Sequence, residues 1–288
     1  MPVITSVSRM QSWADARRAE GRRLGLVPTM GALHAGHLAL VREAVERADD
    51  VVVSNFVNPT QFGPNEDYER YPRESEHDIR LLKEIDPSIV TFAPTVGEIY
   101  PDGVEASRTW VEVDELARHL CGRFREGHFR GVTTVVMKLL HACKPDVAVF
   151  GLKDAQQFVI IDRMVRDMLL DVEIVGVPIV READGLAYSS RNVYLTPEQR
   201  ASATMLSQAV EEAERRILKG EQRSGPLVES MRSVLDGEED LEVQYVEVVH
   251  AATLQPVEVI DPGQRVLAAV AAYVGATRLI DNVFVRAP

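Results

Sequence analysis

Cysteine and long hydrophobic runs are scarce in this sequence, and each shortage excludes a class of protein. The chain of 288 residues has 2 cysteines, Cys121 and Cys143, whose separation matches neither a zinc-ligand spacing nor a CxxC redox pair. So few thiols are typical of a reducing compartment, which predicts a cytoplasmic protein. The longest weakly polar run, 266–275, is too short to cross a membrane as a helix and indicates a buried strand.

Positive charge is also in short supply. Lysine and arginine total 32 against 44 acidic residues, which gives a formal net charge of −12. An acidic surface repels polyanions and so argues against a large nucleic-acid interface, but it still allows a local cationic pocket for a nucleotide. The first residues lack the basic and then apolar regions of a signal peptide, so we expect none.

The rest of the composition is that of an ordinary globular protein. Hydrophobic residues make up 45% of the chain and charged residues 26%, and this length favours two domains. Short apolar segments alternate with helical patterns in the first part, which predicts a parallel sheet with right-handed crossovers. The predicted strands span 24–27, 51–55, 89–92, 147–150 and 172–177, and the predicted helices span 38–48, 75–85, 131–143 and 155–168.

The pattern changes in the last third of the chain. Residues 197–219 predict one long helix, with Thr196 as its N-cap and Pro197 at its first position. A smaller α+β domain is indicated, so we predict domains at 1–180 and 181–288. Its remaining predicted elements are a helix over 226–235 and strands over 243–249, 266–274 and 279–285.

The strongest local signal is His34-Ala35-Gly36-His37, which follows the first predicted strand. Ligands of doubly wound sheets bind at the carboxyl ends of strands, and a helix beginning near Gly36 or His37 aims N–H groups there, which favours phosphate. Two imidazoles can also donate hydrogen bonds to oxygens that gain charge during a reaction. The same histidines could instead be metal ligands or surface histidines, although no third ligand is evident.

The segment Gly151-Leu152-Lys153-Asp154 follows a later strand of the same predicted sheet and so lies at the same edge. A lysine there supplies a mobile positive charge suited to a polyphosphate. The alternative is a solvated turn in which Asp154 serves only as a helix N-cap.

The segment Ser189-Ser190-Arg191-Asn192 precedes the long predicted helix. Two hydroxyls and one guanidinium can bind a triphosphate, and arginine adds bidentate geometry. In isolation, a polar linker between domains explains the segment as well. The three motifs together form a cationic, donor-rich set in the order seen in nucleotidylyl transferases of the HIGH type.

Two glutamines lie where they could face the same edge. Gln61 follows the second predicted strand, and Gln157 lies about one turn into the helix after Lys153. An amide both donates and accepts hydrogen bonds, which suits a hydroxy-carboxylate. Each could equally be a surface amide.

Taken together, these segments resemble the pantothenate synthetase family over almost the whole chain, in the family's order and spacing. Two positions depart from the family pattern, both at backbone-contact positions: Leu152 stands where Glu is common, and Tyr188 where a smaller or aliphatic residue is usual. The matching strings are PTMGALHAGH at 28–37, FVNPTQFGPNEDYERYPR at 56–73, GHFRGVTTVV at 127–136, GLKDAQQ at 151–157 and GLAYSSRNVYL at 185–195.

The resemblance implies a Rossmann-like domain that holds ATP and pantoate, with a smaller α+β C-terminal domain as a lid. It implies a homodimer that needs Mg²⁺ and joins pantoate to β-alanine through an enzyme-bound pantoyl-adenylate, releasing AMP and pyrophosphate. Neither nucleic acid nor a membrane is expected as a partner. Which side chains touch the metal is left open, with Asp154 as a candidate.

The resemblance also assigns site residues. His37 matches the residue usually assigned as catalytic acid, and Gln61 and Gln157 match the residues that hold pantoate. The residues to which we assign catalysis are His34, His37, Lys153 and Arg191. The residues expected to line the ATP site are Met30, Gly31, Ala32, Leu33, His34, Ala35, Gly36, His37, Gly151, Leu152, Lys153, Asp154, Val180, Tyr188, Ser189, Ser190 and Arg191.

Three other functions are open at this point. An adenylyltransferase acting on a phosphate acceptor shares HxGH on a similar fold, but does not usually carry the NPTQF segment or the C-terminal domain. An aminoacyl-tRNA synthetase is disfavoured by the acidic charge. A catalytically silent nucleotide-binding regulator is disfavoured because the basic and imidazole groups of all three motifs are present.

Overall fold

The computed structural model describes residues 2–64, 66–238 and 240–288, so Asn65, within the quoted segment 56–73, lies outside them. The chain divides into two compact units, neither of which is one continuous stretch. Unit 1 comprises Met1–Ala117, Gly122–Leu152 and Ile160–Pro178, and unit 2 comprises Arg118–Cys121, Lys153–Val159 and Ile179–Pro288. The domain boundary after residue 180 stays a prediction.

Unit 1 is built on a parallel sheet. Its strands are β1 (Val3–Ile4), β2 (Leu24–Thr29), β3 (Asp50–Asn55), β4 (Val90–Phe92), β5 (Val147–Gly151) and β6 (Glu173–Val177). Within the described residues the sheet has six strands in the order β1-β4-β3-β2-β5-β6, and the neighbouring strands run parallel. The predicted Rossmann-like parallel sheet is therefore confirmed.

Helices cover this sheet, which is why its central strands are apolar on both faces. They are α1 (Val7–Ala19), α2 (Ala35–Arg47), α3 (Ser75–Ile85), α4 (Val96–Ile99) and α5 (His128–Cys143). A sixth helix, α6 (Ala155–Asp167), begins in unit 2 and belongs to unit 1 from Ile160 onward. Leu40 and Val41 of α2 pack into one buried cluster with Leu82 of α3 and Val53 of β3. The sequence reading did not identify α1, whose buried residues are Met10 and Ala14, too few for a clear apolar stripe.

The order of the strands reverses between β2 and β5. The chain places β3 and β4 on one side of β2 and then returns to place β5 on the other, with Gly25 opposite Val147. At such a reversal the connections leave in opposite directions and open a crevice at the carboxyl ends of the strands. The segments that follow β2 and β5 both start at this point.

Unit 2 contains an antiparallel sheet covered by helices. Its elements are the helices α7 (Pro197–Ala203), α8 (Met205–Leu218) and α9 (Ser224–Leu235) and the strands β7 (Leu241–His250), β8 (Arg265–Val274) and β9 (Thr277–Arg286). Leu206 and Val210 of α8 and Met231 of α9 pack against alternate residues of β8, such as Val270. This confirms the predicted α+β character.

The prediction of one long helix over 197–219 is wrong, because the helix breaks at Thr204. Thr196 caps α7 as predicted, with its side chain accepting from the Gln199 amide. At Thr204 the amide bonds to Ala201 O, three residues back, and the hydroxyl donates to the same carbonyl at 2.7 Å. This tight turn ends α7 without a glycine or proline. None of the helices in the described part of the chain is long and apolar enough to span a membrane.

Candidate active site

The loop after β2 turns sharply at Gly31, which has a φ of +82°. The Thr29 hydroxyl supports this turn, since it donates to Ser54 O at 2.6 Å and accepts from the Gly31 amide at 3.2 Å. A Cβ at Gly31 would lie 2.3 Å from Asn55 Oδ1. Glycine is therefore required here both by the backbone conformation and by the closeness of the neighbouring strand end.

A buried carboxylate fixes the next part of the loop. Asp78 of α3 is 1% exposed and accepts from the amides of Ala32, at 3.1 Å, and Leu33, at 2.7 Å, and from Asn55 Nδ2 at 2.9 Å. Burial raises the pKa of Asp78 above its usual range, although these hydrogen bonds oppose the rise. The sequence reading missed this residue. The available signal was an acidic residue four positions before Leu82 on the buried face of an amphipathic helix.

His34 and His37 lie together at the start of α2. His34 is the N-cap, and the two rings stack with their centroids 4.0 Å apart and their planes inclined by 28°. The backbone amide of His34 donates to His37 Nδ1 at 3.4 Å. An Nδ1 that accepts a hydrogen bond places the proton of the neutral ring on Nε2, so Nε2 of His37 is a donor. Ala35 and Gly36 form the first helical turn, whose N–H groups favour an anion.

Gln61 is held against Met30 in the same unit. Its Nε2 lies 3.2 Å from Met30 Sδ, and its Oε1 accepts from Asn58 Nδ2 at 3.2 Å. Asn58 is itself 1% exposed, and its Oδ1 accepts from the Tyr100 hydroxyl at 2.9 Å. The predicted residues Met30 and Gln61 are thus brought together. The sequence reading did not assign Asn58 or Tyr100 to the site.

The backbone of Gln61 is fixed from the start of α5. His128 Nδ1 donates to Gln61 O at 2.7 Å, and Arg125 Nη2 contacts the same oxygen at 3.4 Å. Arg125 also pairs with Glu66 at 2.6 Å. Burial would raise the pKa of Glu66, but the hydrogen bond and charge of Arg125 outweigh burial and lower it. The matched string at 127–136 therefore contains a residue, His128, that fixes the backbone of Gln61.

Lys153 and Asp154 lie in unit 2, in a short 3₁₀ turn directly after β5. Their charged groups are 3.9 Å apart, and Lys153 is partly exposed whereas Asp154 is exposed. Lys153 O accepts from Asn282 Nδ2 at 2.8 Å. Gly151 and Leu152 belong to unit 1 and are partly exposed.

Gln157 is partly exposed in the first turn of α6, next to a buried glutamine. The neighbour, Gln156, donates to His119 O at 2.7 Å, which fixes this turn within unit 2.

The remaining predicted residues lie on one ordered segment of unit 2. The Tyr188 amide bonds to Val180 O at 3.0 Å, so these two residues face each other across a narrow loop. Ser189 caps the 3₁₀ turn Ser190–Tyr194 by accepting from the Arg191 amide at 3.2 Å. The segment is therefore an ordered, capped 3₁₀ turn and not an irregular linker. Among the described residues, no group of three or more His, Cys, Asp or Glu side chains could hold a metal ion.

Comparison with known proteins identifies the family. A family model described as Pantoate-beta-alanine ligase matches residues 2–284. The chain is 59% identical over 292 residues to the pantothenate synthetase of Salinibacter ruber, covering 100% of this chain and 99% of the relative. It is 51% identical over 282 residues to that of Thermotoga petrophila, covering 98% and 99%.

Solved structures agree with this result. The pantothenate synthetase of Thermus thermophilus matches with a TM-score of 0.90 at 42% identity, covering 98% of this chain and 99% of that one. The pantoate-beta-alanine ligase of Francisella tularensis, in complex with beta-gamma ATP and beta-alanine, matches with a TM-score of 0.77 at 33% identity, covering 98% and 97%. The matches extend through both units, including the loops after β2 and β5, and so the chain belongs to the pantoate–β-alanine ligase family.

Proposed function

We propose that the chain condenses pantoate with β-alanine in two steps, through a pantoyl-adenylate that stays bound to the enzyme. Membership of the family makes the chain an amide-forming ligase. The observation that carries the proposed chemistry is the stacked pair His34 and His37 at the start of α2, in the same unit as the Gln61–Met30 contact. An adenylyltransferase of phosphate acceptors or a silent regulator would not account for this full-length match.

In the first step the pantoate carboxylate attacks the α-phosphorus of ATP, and pyrophosphate leaves. A carboxylate is ionised at neutral pH, so this step needs charge stabilisation rather than a base. His37, through Nε2–H, acts as a hydrogen-bond donor to the phosphate oxygens that gain charge, and the ring of His34 stacks on it. Lys153 and Arg191 neutralise the charge that develops on the phosphates, while Ser189 and Ser190 bind phosphate oxygens.

In the second step the neutral amine of β-alanine attacks the mixed anhydride. A C–N bond forms, the acyl C–O bond to AMP breaks, and the nitrogen loses a proton to the departing AMP phosphate or to solvent. Gln61 and Gln157 hold pantoate through its hydroxyls and carboxylate, and Gln61 also lies near β-alanine. Water must be excluded here because it would hydrolyse the anhydride.

ATP is the proposed nucleotide. ATP and β-alanine were bound by the Francisella relative, which supports the same ligands here. The residues proposed to line the ATP site are Met30, Gly31, Ala32, Leu33, His34, Ala35, Gly36, His37, Gly151, Leu152, Lys153, Asp154, Val180, Tyr188, Ser189, Ser190 and Arg191.

Magnesium is proposed as the accompanying cation. Mg²⁺ is usually held by one or two carboxylates together with substrate phosphates. The exposed carboxylate of Asp154, next to Lys153, suits that ligand set. When bound, the cation would neutralise phosphate charge.

The proposal is tested by measuring AMP formation from ATP and Mg²⁺ with pantoate and β-alanine each present or omitted. We expect AMP in quantity only with both substrates, and pyrophosphate release that depends on pantoate. AMP release that never occurs with this substrate pair would overturn the assignment.

Variants separate the residue roles. His37→Ala and Lys153→Ala should each cut pyrophosphate release by orders of magnitude, whereas the exposed control residues His141→Ala and Lys219→Ala should not. Near-normal pyrophosphate release by His37→Ala or Lys153→Ala would contradict the assigned role of that residue. We also propose a cytoplasmic homodimer.

A further inference from the structure

Two adjacent polar residues are buried in β9, a strand of the apolar sheet of unit 2. Asp281 is 2% exposed and Asn282 is 5% exposed, while Ala269 and Val270 face them from β8. Successive residues of a strand point to opposite faces of the sheet, so the two side chains can hold two different segments. Buried polar groups are costly unless they are bonded, so their partners show what they do.

Asn282 holds the turn that carries Lys153. Its Nδ2 donates to Lys153 O at 2.8 Å. The lysine side chain is long and flexible, so the position of its backbone decides the volume that its ammonium group can reach. A hydrogen bond to the lysine's own carbonyl directly fixes the position of that backbone.

Asp281 holds the segment that carries the other proposed phosphate ligands. It receives two hydrogen bonds from Arg181, at 2.7 and 3.0 Å, in bidentate geometry. Arg181 also donates to Gly185 O at 3.1 Å. The carbonyl of the preceding residue, Val180, accepts from the Tyr188 amide. The ion pair therefore fixes the base of the loop.

We propose that Asp281 and Asn282 are a pair of positioning residues for adenylate formation, which fix both phosphate-binding segments of unit 2 to one rigid strand. The inference rests on the proposed roles of Lys153 and Arg191. A displacement of about 1 Å in a catalytic group can lower a rate about 100-fold, so the loss of either anchor should slow adenylate formation.

The first test removes the Asn282 amide. In the full-length enzyme, Asn282→Ala should lower kcat for pantoate-dependent pyrophosphate release by about 10- to 100-fold. The matched control is Val283→Ala, at the next position of β9, which removes a partly buried side chain. Its kcat should be near that of the native chain, although its melting temperature should be similar to that of Asn282→Ala. Should Asn282→Ala fail to fold, Asn282→Val replaces it, because valine suits a strand and lacks the donor.

A double-mutant cycle then asks whether Asn282 works through Lys153. In a Lys153→Ala background, the further substitution Asn282→Ala should cost little more, because the group that it positions is absent. Two results would overturn the inference. One is a fold-loss of kcat in the double variant equal to the product of the two single fold-losses. The other is a kcat of Asn282→Ala equal to that of Val283→Ala. If Lys153→Ala alone kept full activity, the proposed role of Lys153 would fail instead.

The second test addresses the other anchor. Asp281→Asn keeps the shape of the side chain but leaves Arg181 without its anionic partner. We expect the KM for ATP to rise about 10-fold, as expected for a bond of roughly 1.4 kcal/mol, with the KM for β-alanine unchanged. An unchanged KM for ATP would show that Asp281 is not a positioning residue.

Discussion

At the scale of single residues, Gly31 is a position of the site that tolerates little change. Gly31→Ala would strain a backbone with φ of +82° and push a methyl group against Asn55, whose amide is already bonded to Asp78. We expect a loss of about 1–2 kcal/mol in unfolding free energy from the backbone and about 1–3 kcal/mol from the clash, together with slow adenylate formation.

The matched control for this prediction is Gly103→Ala. Gly103 has a φ of +84°, but a Cβ built there meets no atom of the described residues within 4 Å. In chemical denaturation, Gly103→Ala should lose only the part of the unfolding free energy that comes from backbone strain. Equal losses for Gly31→Ala and Gly103→Ala would show that contact with Asn55 is unimportant.

A second prediction concerns Asp78 and pH. Burial raises its pKa above 3.8, so its contribution to stability is greatest below that pH and declines as pH rises through the raised value in the folded state. The unfolding free energy of the native chain minus that of Asp78→Asn should therefore fall between acidic and neutral pH.

Asp86 of the same region provides the control for sign. Hydrogen bonds from the Ser88 side chain and backbone lower the pKa of Asp86 below 3.8. The corresponding difference for Asp86→Asn should fall as the pH drops below this value, the reverse of the trend for Asp78. Urea titrations at several pH values measure both, and parallel trends would refute the environment assigned to Asp78.

At the scale of elements, the proposed pantoate end of the site depends on contacts between the segment after β3, the end of α4 and the start of α5. Tyr100→Phe removes the hydroxyl that donates to Asn58, which in turn fixes Gln61. The ring should stay in place, since the Lys138 ammonium lies 4.0 Å from its centroid. We expect the KM for pantoate to rise about 5- to 10-fold, in line with a bond of roughly 1 kcal/mol, with the KM for ATP unchanged.

Tyr273→Phe, in β8 of unit 2, is the control that removes a tyrosine hydroxyl away from Asn58 and Gln61. It should leave the KM for pantoate unchanged. Steady-state kinetics with each substrate varied in turn decide the matter, and an effect of Tyr100→Phe on ATP alone would contradict a role at the pantoate end.

Local pattern predicted most elements but not the groups that support the site. The predicted strands of both sheets were confirmed because short β-branched runs between turns are a strong local signal, whereas β1, which is only 2 residues long, was not predicted. The break at Thr204 was missed because it comes from side-chain and backbone bonds to Ala201, which leave no glycine or proline in the sequence. Asp78 and Asn282 were missed for another reason: each meets its partner only through the tertiary fold.

At the scale of the whole molecule, the assembly in solution is open to direct measurement. The resemblance to the family leads us to propose a homodimer of this 32.0 kDa chain. Light scattering coupled to size-exclusion chromatography should give twice that mass over a tenfold range of concentration. A mass of one chain throughout would contradict the dimer without affecting the proposed chemistry.

Unit 2 is assembled from three stretches of sequence, and this limits how the chain can be recombined. Arg278 of β9 donates to Cys121 Sγ at 3.3 Å, and Asn282 donates to Lys153 O at 2.8 Å, so one strand meets both of the short inserted stretches. A chimera that exchanged only residues 179–288 with a relative would bring a foreign strand to native 118–121 and 153–159. Residues 179–288 are thus not a complete structural unit, and a chimera between relatives should exchange all three stretches together.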